Sequence, residues 1–410
     1  MNQRFFCNKY TVFLLAFFAP MIINIGGEVS PSFLFIVATF PLWVRNLNFK
    51  QKSPFRYILN LLFALVAVQV VWALFAETPI FFQVKGILIV VSGLFYFMYY
   101  YMVYSNNREV VKWAVLGSFL ASFVFINVLV EREGSEFGLW KFQIMPRLVT
   151  LCLLIYLWGS KHRVVVRYAP ILFIFIGGLG LVTGARSSGL APFLSGVIAY
   201  VLQMQHRINL GAVKKNLLVG ACLLYAAYAA LYVPNVLNGS ITGGNTDQLK
   251  ALDNPYNPLG LLMIGRSDSV VPFMAFIDNP LTGWGYLTPD PGLKYHVMVL
   301  NMHAKDEVLQ DIENTLPIPG HSGWGYIACS YGILGFLICF LFVKKTLSVL
   351  FRSLVVHDRY LLYRISVAFG FLWNFLFSPL AHFKTLPASM AAVLVFSLIA
   401  LKENKEKQNT

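Results

Sequence analysis

Residues 317–345 read PIPGHSGWGYIACSYGILGFLICFLFVKK. Pro317, Pro319 and Gly320 constrain the chain at one end, and Lys344 and Lys345 close the other. The stretch between, 322–343, contains no charged residue. A helix needs roughly 20 mostly apolar residues to cross a bilayer, so this run reads as a membrane span with a lysine pair at its far end. His321 is thereby set at the opposite water–membrane boundary.

Eleven further apolar runs surround it, near 10–25, 29–44, 57–76, 84–104, 110–130, 143–158, 166–183, 187–204, 216–234, 361–378 and 385–401. The expected fold is an all-α integral membrane protein with about twelve transmembrane helices. The first run follows Arg4 and Lys9 as a signal peptide would. It has no Ala-x-Ala cleavage site, and another run follows at once, so it reads as a span. The composition agrees: of 410 residues, 58% are hydrophobic and only 12% charged. That is about half the charge share of a soluble domain, too little to cover two or three of them with polar surface.

Charge placement orients the spans. With both termini in the cytoplasm, 22 of the 32 Lys and Arg fall in cytoplasmic segments and nine in outer ones, with Arg147 inside a run. The outer segments also hold 14 of the 18 acids. The net charge of +14 is therefore a marker of membrane orientation, and no nucleic-acid partner is implied. The five cysteines (Cys7, Cys152, Cys222, Cys329 and Cys339) form no CxxC and give neither a disulfide framework nor a thiolate zinc site.

The expected organisation is 1–234 with nine spans, 235–321 as a large outer loop, 322–401 with three spans, and 402–410 as a cytoplasmic tail. Loops of this length are usually functional or disordered. This one has nine acids against four basic residues. Its first third, with NGSITGGNTDQ and DNPYNPLG, reads as turns. Further on, Ser267 or Asp268 can cap a helix with Val270, Val271, Phe273, Met274, Phe276 and Ile277 on one face, stopped by Asn279-Pro280. A second helix is expected over 293–313, with Val297, Leu300, Val308, Leu309 and Ile312 inward. Two amphipathic helices at the bilayer surface would roof an outward cavity.

Four residues carry a candidate chemistry. Arg186, in TGARSSGLAP, lies at the outer membrane edge before a run whose N-terminal amides attract anions; the plainer reading is an arginine snorkelling to headgroups. Arg266, in IGRSDSV, immediately precedes a capped helix, where guanidinium and free amides together suit a phosphate; otherwise it is a loop arginine paired with Asp268. His321 can accept a proton from a hydroxyl near neutral pH, or simply neighbour a helix cap. Arg147 follows Pro146 near the outer end of its run and either faces the same cavity, as a third diphosphate-binding arginine, or pairs with Glu131, Glu133 or Glu136. His296, His303 and Glu307 are spaced too widely for an ordinary metal motif. There is no Asp-x-Asp, P-loop or GxSxG.

The order of these motifs resembles the O-antigen ligase and polymerase superfamily, with its WaaL-type ligases and Wzy-type polymerases. The likeness rests on Arg186 after the seventh run, on Arg266 opening a loop helix that ends in Asn279-Pro280-Leu281-Thr282-Gly283, and on His321 before Tyr331-Gly332-Ile333-Leu334-Gly335. It spans roughly 170–345; the first 140 residues match in hydropathy alone. Where the family often has Asn after the histidine, this chain has Ser322.

The resemblance implies a class C type architecture and an inverting, metal-independent glycosyltransferase without cofactor. Its donor is a glycan on undecaprenyl diphosphate at the periplasmic face of the bacterial inner membrane. His321 matches the proposed general base, and Arg186 and Arg266 the diphosphate-binding arginines. The acceptor is a lipid-linked repeat unit in a polymerase or lipid A core in a ligase. The form of the His321 motif is closer to polymerases. Membrane lipids, a chain-length regulator and a flippase of the same pathway are the further partners implied. A twelve-helix transporter or flippase is the alternative class. It usually shows an internal repeat, and in the major facilitator group a long cytoplasmic loop after the sixth helix; here that loop is about ten residues, and no repeat is visible. A non-catalytic scaffold of a polysaccharide assembly machine is the third.

Overall fold

The computed structural model describes residues 3–24, 28–47, 53–75, 78–125, 139–183, 185–204, 222, 225–226, 228–240, 249–250, 252–258, 260–261, 267–302, 316–378 and 386–409. Helices dominate: α1 (Lys9–Phe18), α2 (Pro31–Ala38), α3 (Pro54–Ala73), α4 (Ile80–Asn106), α5 (Val111–Val124), α6 (Met145–Gly159), α7 (Arg163–Val182) and α8 (Arg186–Met204). The outer loop supplies α9 (Ser267–Asp278) and α10 (Lys294–Met302), and α11 (Gly323–Ser353), α12 (Leu361–Phe377) and α13 (Leu386–Asn409) follow. The small exceptions are an antiparallel pair, Ile23–Asn24 with Glu28–Val29, and an isolated bridge between Pro289 and Pro317.

Among the described residues, six helices are long and apolar enough to cross a membrane: Pro54–Ala73, Ile80–Asn106, Trp140–Gly159, Arg163–Leu181, Gly323–Ser353 and Leu386–Asn409. The protein is thus a helical, multi-pass membrane protein by length and composition. Apolar helices α1 and α12 are shorter. The run 29–44 is not one straight helix. It breaks at Thr39 (φ −95°, ψ 4°), where the hydroxyl donates back to the Phe35 carbonyl at 2.7 Å and Pro41 withholds an amide. Most of the run 216–234 lies outside the described residues.

Local chemistry sets the helix starts. Ser53 accepts from the Arg56 amide with Pro54 in the first turn, and Ser30 accepts from Phe33 at 3.1 Å ahead of Pro31. Small residues set the closest packing. A Cβ on Gly177 of α7 would lie 2.3 Å from the Phe193 amide nitrogen of α8, and one on Gly196 would lie 2.6 Å from the Pro170 carbonyl oxygen. The two backbones touch where glycines permit it, antiparallel along their length. Pro170 inside α7 leaves the Val166 carbonyl without its usual helical donor, and the Gln203 amide of α8 supplies one at 3.0 Å.

Two ends of the bundle follow from the contacts. At the first, the Phe6 and Cys7 carbonyls accept from Tyr99 and Asn107, and Arg108 pairs with Glu403 at 2.5 Å, so both terminal segments meet the C-terminal end of α4. Glu109 there binds Lys112 at 2.6 Å, Arg359 at 2.5 Å and the Tyr360 hydroxyl at 2.8 Å. Burial works to raise its pKa, but these partners outweigh that and hold it at about 2. Tyr156, near the C-terminus of α6, donates to the Arg359 carbonyl, so the start of α6 lies at the opposite end. That second end collects the starts of α6, α8 and α11, the close of α12, and the outer loop.

Candidate functional site

The chain enters α11 through a short extended segment. The Asp290 amide donates to the Leu316 carbonyl at 2.8 Å, and the Ile318 amide to the Thr288 carbonyl at 3.0 Å. Gly320 then passes so close to Tyr326 that a Cβ would sit 2.4 Å from its ring. Ser322, fully buried, caps α11 by accepting from the Gly325 amide at 3.0 Å. His321 is therefore held through its backbone on both sides while its side chain is exposed. Its carbonyl accepts from the Ser269 hydroxyl, 3.1 Å away in the first turn of α9.

This contact joins two of the sequence-predicted positions. Arg266 lies outside the described residues, but α9 begins at Ser267, the next residue, so the start of the loop helix is fixed against the His321 corner. Arg186 is the first residue of α8. Ser188 donates to the Lys141 carbonyl at 3.4 Å and Trp140 to the Thr183 hydroxyl at 2.7 Å, so the start of α8 lies at the His321 end of the bundle. Arg147 has a local task. Its Nη2 donates to the Ser122 carbonyl at 2.6 Å, in the last turn of α5, and its guanidinium lies 4.4 Å from the Phe123 ring centroid. A cation on exposed helical carbonyls is favoured by the helix dipole. Its other expected partners, Glu131, Glu133 and Glu136, fall outside the described residues, as do His303 and Glu307.

The loop motifs interlock with the membrane helix. α11 is broken at Tyr331–Gly332, where Gly332 adopts φ 61° and ψ −151°. Segment 280–285 fills the break. The Trp284 amide donates to the Cys329 carbonyl at 2.8 Å, the Gly285 amide to Ser330 at 3.0 Å, and the Ile333 amide to Pro280 at 2.7 Å. Carbonyls freed by the break thus regain donors, as apolar surroundings require. Trp72 of α3 also donates to the Thr282 carbonyl. The Asn279–Gly283 and Tyr331–Gly335 motifs are two halves of one joint.

Sequence reasoning missed one pair. Asp290 is buried and accepts from the Tyr295 and His296 amides at 2.9 and 2.8 Å, capping α10. His296 Nδ1 lies 2.8 Å from the same carboxylate. A proton on Nδ1 satisfies that contact and leaves Nε2 as an acceptor. Two left-handed leucines, Leu287 (φ 52°) and Leu293 (φ 56°), bracket Asp290. Such conformations are strained for residues with a Cβ and persist only where surrounding contacts enforce them. Tyr295, buried beside this pair, donates to Asp278 at 2.6 Å, and Lys294 pairs with Asp278 at 2.7 Å. These two partners, Lys294 first, hold the Asp278 carboxyl below its usual range. The inward face of α10 includes Tyr295; of the residues expected inward, Val297 is exposed, Leu300 is half-buried, and Val308, Leu309 and Ile312 lie outside the described residues, while Ile277 of α9 is exposed, against expectation. Asp290 is six residues from His296 across a turn, so no helical spacing announced the pair.

No group of three His, Cys, Asp or Glu suited to a metal ion occurs among the described residues. No family model matches the chain, and no curated protein matches it.

Proposed function

We propose that the protein is a membrane glycosyltransferase that uses a glycan on undecaprenyl diphosphate at the outer face of a bacterial inner membrane. On this reading the twelve runs are spans, both termini are cytoplasmic and the acceptor is most naturally another lipid-linked repeat unit. The observation that carries it is the Ser269–His321 contact. It fixes the start of the loop helix, directly after Arg266, against His321 at the mouth of α11, at the same end of the bundle as Arg186.

The chemistry is a displacement at the anomeric carbon. An acceptor hydroxyl oxygen forms the new bond, its proton passes to His321, and the bond to the diphosphate oxygen breaks with the electron pair leaving on the lipid diphosphate. Arg186 and Arg266 bind that diphosphate as its charge develops. Attack opposite the leaving group inverts the anomeric configuration. The Asp290-oriented His296 is the rival proton acceptor in the same loop.

The test is transfer by purified protein from its native lipid-linked glycan, offered either a lipid-linked repeat unit or lipid A core. Extension of the repeat unit supports the polymerase form. Transfer to lipid A core alone would make the protein a ligase, and transfer to neither would sink the reading.

A further inference from the structure

The cations at the end of the bundle with both terminal segments are of two kinds. Arg108, Lys112, Arg359 and Arg364 each pair with an acid. Lys9, Lys161, Arg163 and Arg167 are exposed, and none of them meets an acidic side chain among the described residues. Aromatic rings join this second group across α1, α5 and α6. The Lys9 ammonium lies 4.9 Å from the Tyr10 ring centroid and 5.2 Å from that of Trp113, and Trp113 meets Trp158 edge to face at 5.8 Å. Lys161 stands in the turn just after Trp158, where the His162 amide donates to the Gly159 carbonyl at 2.8 Å. Arg163 opens α7, and Arg167 lies one turn further along the same face.

The surface that leads away from these cations is apolar. Leu14, one turn beyond Tyr10 on α1, is exposed, and so are Leu151, Ile155 and Trp158, spaced along one face of α6. In a multi-pass helical bundle, exposed apolar stripes of this kind meet acyl chains. Trp and Tyr favour the headgroup level, and Lys and Arg beyond them reach the phosphates. Cations without acids suit a headgroup of net negative charge, whereas a zwitterionic headgroup brings its own ammonium, which they repel. We propose that Lys9, Lys161, Arg163 and Arg167, with Trp113 and Trp158, bind the headgroup of an anionic phospholipid whose acyl chains lie along α1 and α6. This site rests on the membrane class of the fold and is independent of the glycosyltransferase reading.

The test uses the full chain in a neutral detergent, titrated with dansyl-labelled phosphatidylglycerol and read by energy transfer from tryptophan. Unlabelled phosphatidylglycerol should displace the probe at least about tenfold more effectively than phosphatidylcholine, since each basic residue near an anionic headgroup is worth about fivefold. Lys161→Gln combined with Arg163→Gln should weaken binding at least about tenfold at low salt, and less as salt rises. Lys402→Gln combined with Lys405→Gln makes the same charge change in the C-terminal tail and should leave binding within about twofold. Equal displacement by the two phospholipids overturns the proposal, as does an equal loss in the two double variants. Glycerol phosphate without acyl chains should not compete; competition as strong as that of phosphatidylglycerol would make this a site for a soluble phosphate and overturn it too. Thermal midpoints check that the variants fold, and Lys9→Gln, expected to cost about fivefold, replaces the Lys161 and Arg163 pair if that variant does not.

Discussion

At the residue scale, the proposed chemistry gives the proton to His321 and the lipid diphosphate to Arg186 and Arg266. His321→Ala should lower transfer by about 10²–10⁴-fold, the usual contribution of a positioned base, while His296→Ala stays within a few-fold. The reverse result, read in the same single-turnover assay, would reassign the base to the Asp290-oriented ring. Arg186→Lys and Arg266→Lys should each cost about 10²-fold, because a lysine keeps the charge but loses the bidentate fork. Glu109 gives a pH prediction away from the site. Its folded pKa, about 2, lies below the ordinary 4.5, so its contribution to stability is complete above about pH 4.5 and is lost as pH falls towards 2. Glu109→Gln should flatten stability over that window in acid-unfolding measurements. Arg186, Arg266 and His321 stand out in the sequence because charge beside long apolar runs is conspicuous, and their roles belong to the proposal. Asp290 does not stand out, since its importance comes from a turn with two left-handed leucines that no periodicity reveals.

At the element scale, the run 322–343 announced a helix, but not that the helix would break at Gly332 and be completed by the loop. Period and hydropathy register what a segment buries, not which backbone carbonyl lacks a donor. Glycines were the available signal: Gly283 (φ 69°) and Gly332 (φ 61°) stand where a Cβ would meet opposing backbone at 2.6 and 2.4 Å. Gly332→Ala should therefore destabilise by at least about 2 kcal/mol, from strain and displacement of the Leu281 carbonyl. Gly239, also at positive φ (75°), meets nothing within 4 Å, so its alanine variant should cost less by the clash alone. Thermal unfolding in detergent of the two variants checks the difference. The inward turn of Tyr295 on α10 was not legible for a related reason. Tyr295 turns inward because Asp278 and Asp290 receive its hydroxyl and amide, a polar demand that hydrophobic spacing does not record.

At the scale of the whole molecule, the membrane class was legible from composition, and eleven of the twelve runs coincide with described helical segments. Six of those helices have the length of a full span. The proposed orientation rests on charge: among the described residues, the end with both terminal segments holds Arg108, Lys112, Arg359 and Arg364, as a cytoplasmic face would. A reporter after Thr410 should be active in the cytoplasm and one inserted after Asn238 outside it. Opposite sidedness would remove the site from the periplasm. The central claim is that this loop end moves a glycan from lipid diphosphate to a hydroxyl. It is tested most directly by incubating purified protein and its His321→Ala variant with the native lipid-linked glycan, with a chelator present, and determining product mass and anomeric configuration. A longer glycan with an inverted linkage from the native protein, and none from the variant, is the expected result. No product from the native protein with either acceptor, or equal product from both proteins, contradicts it.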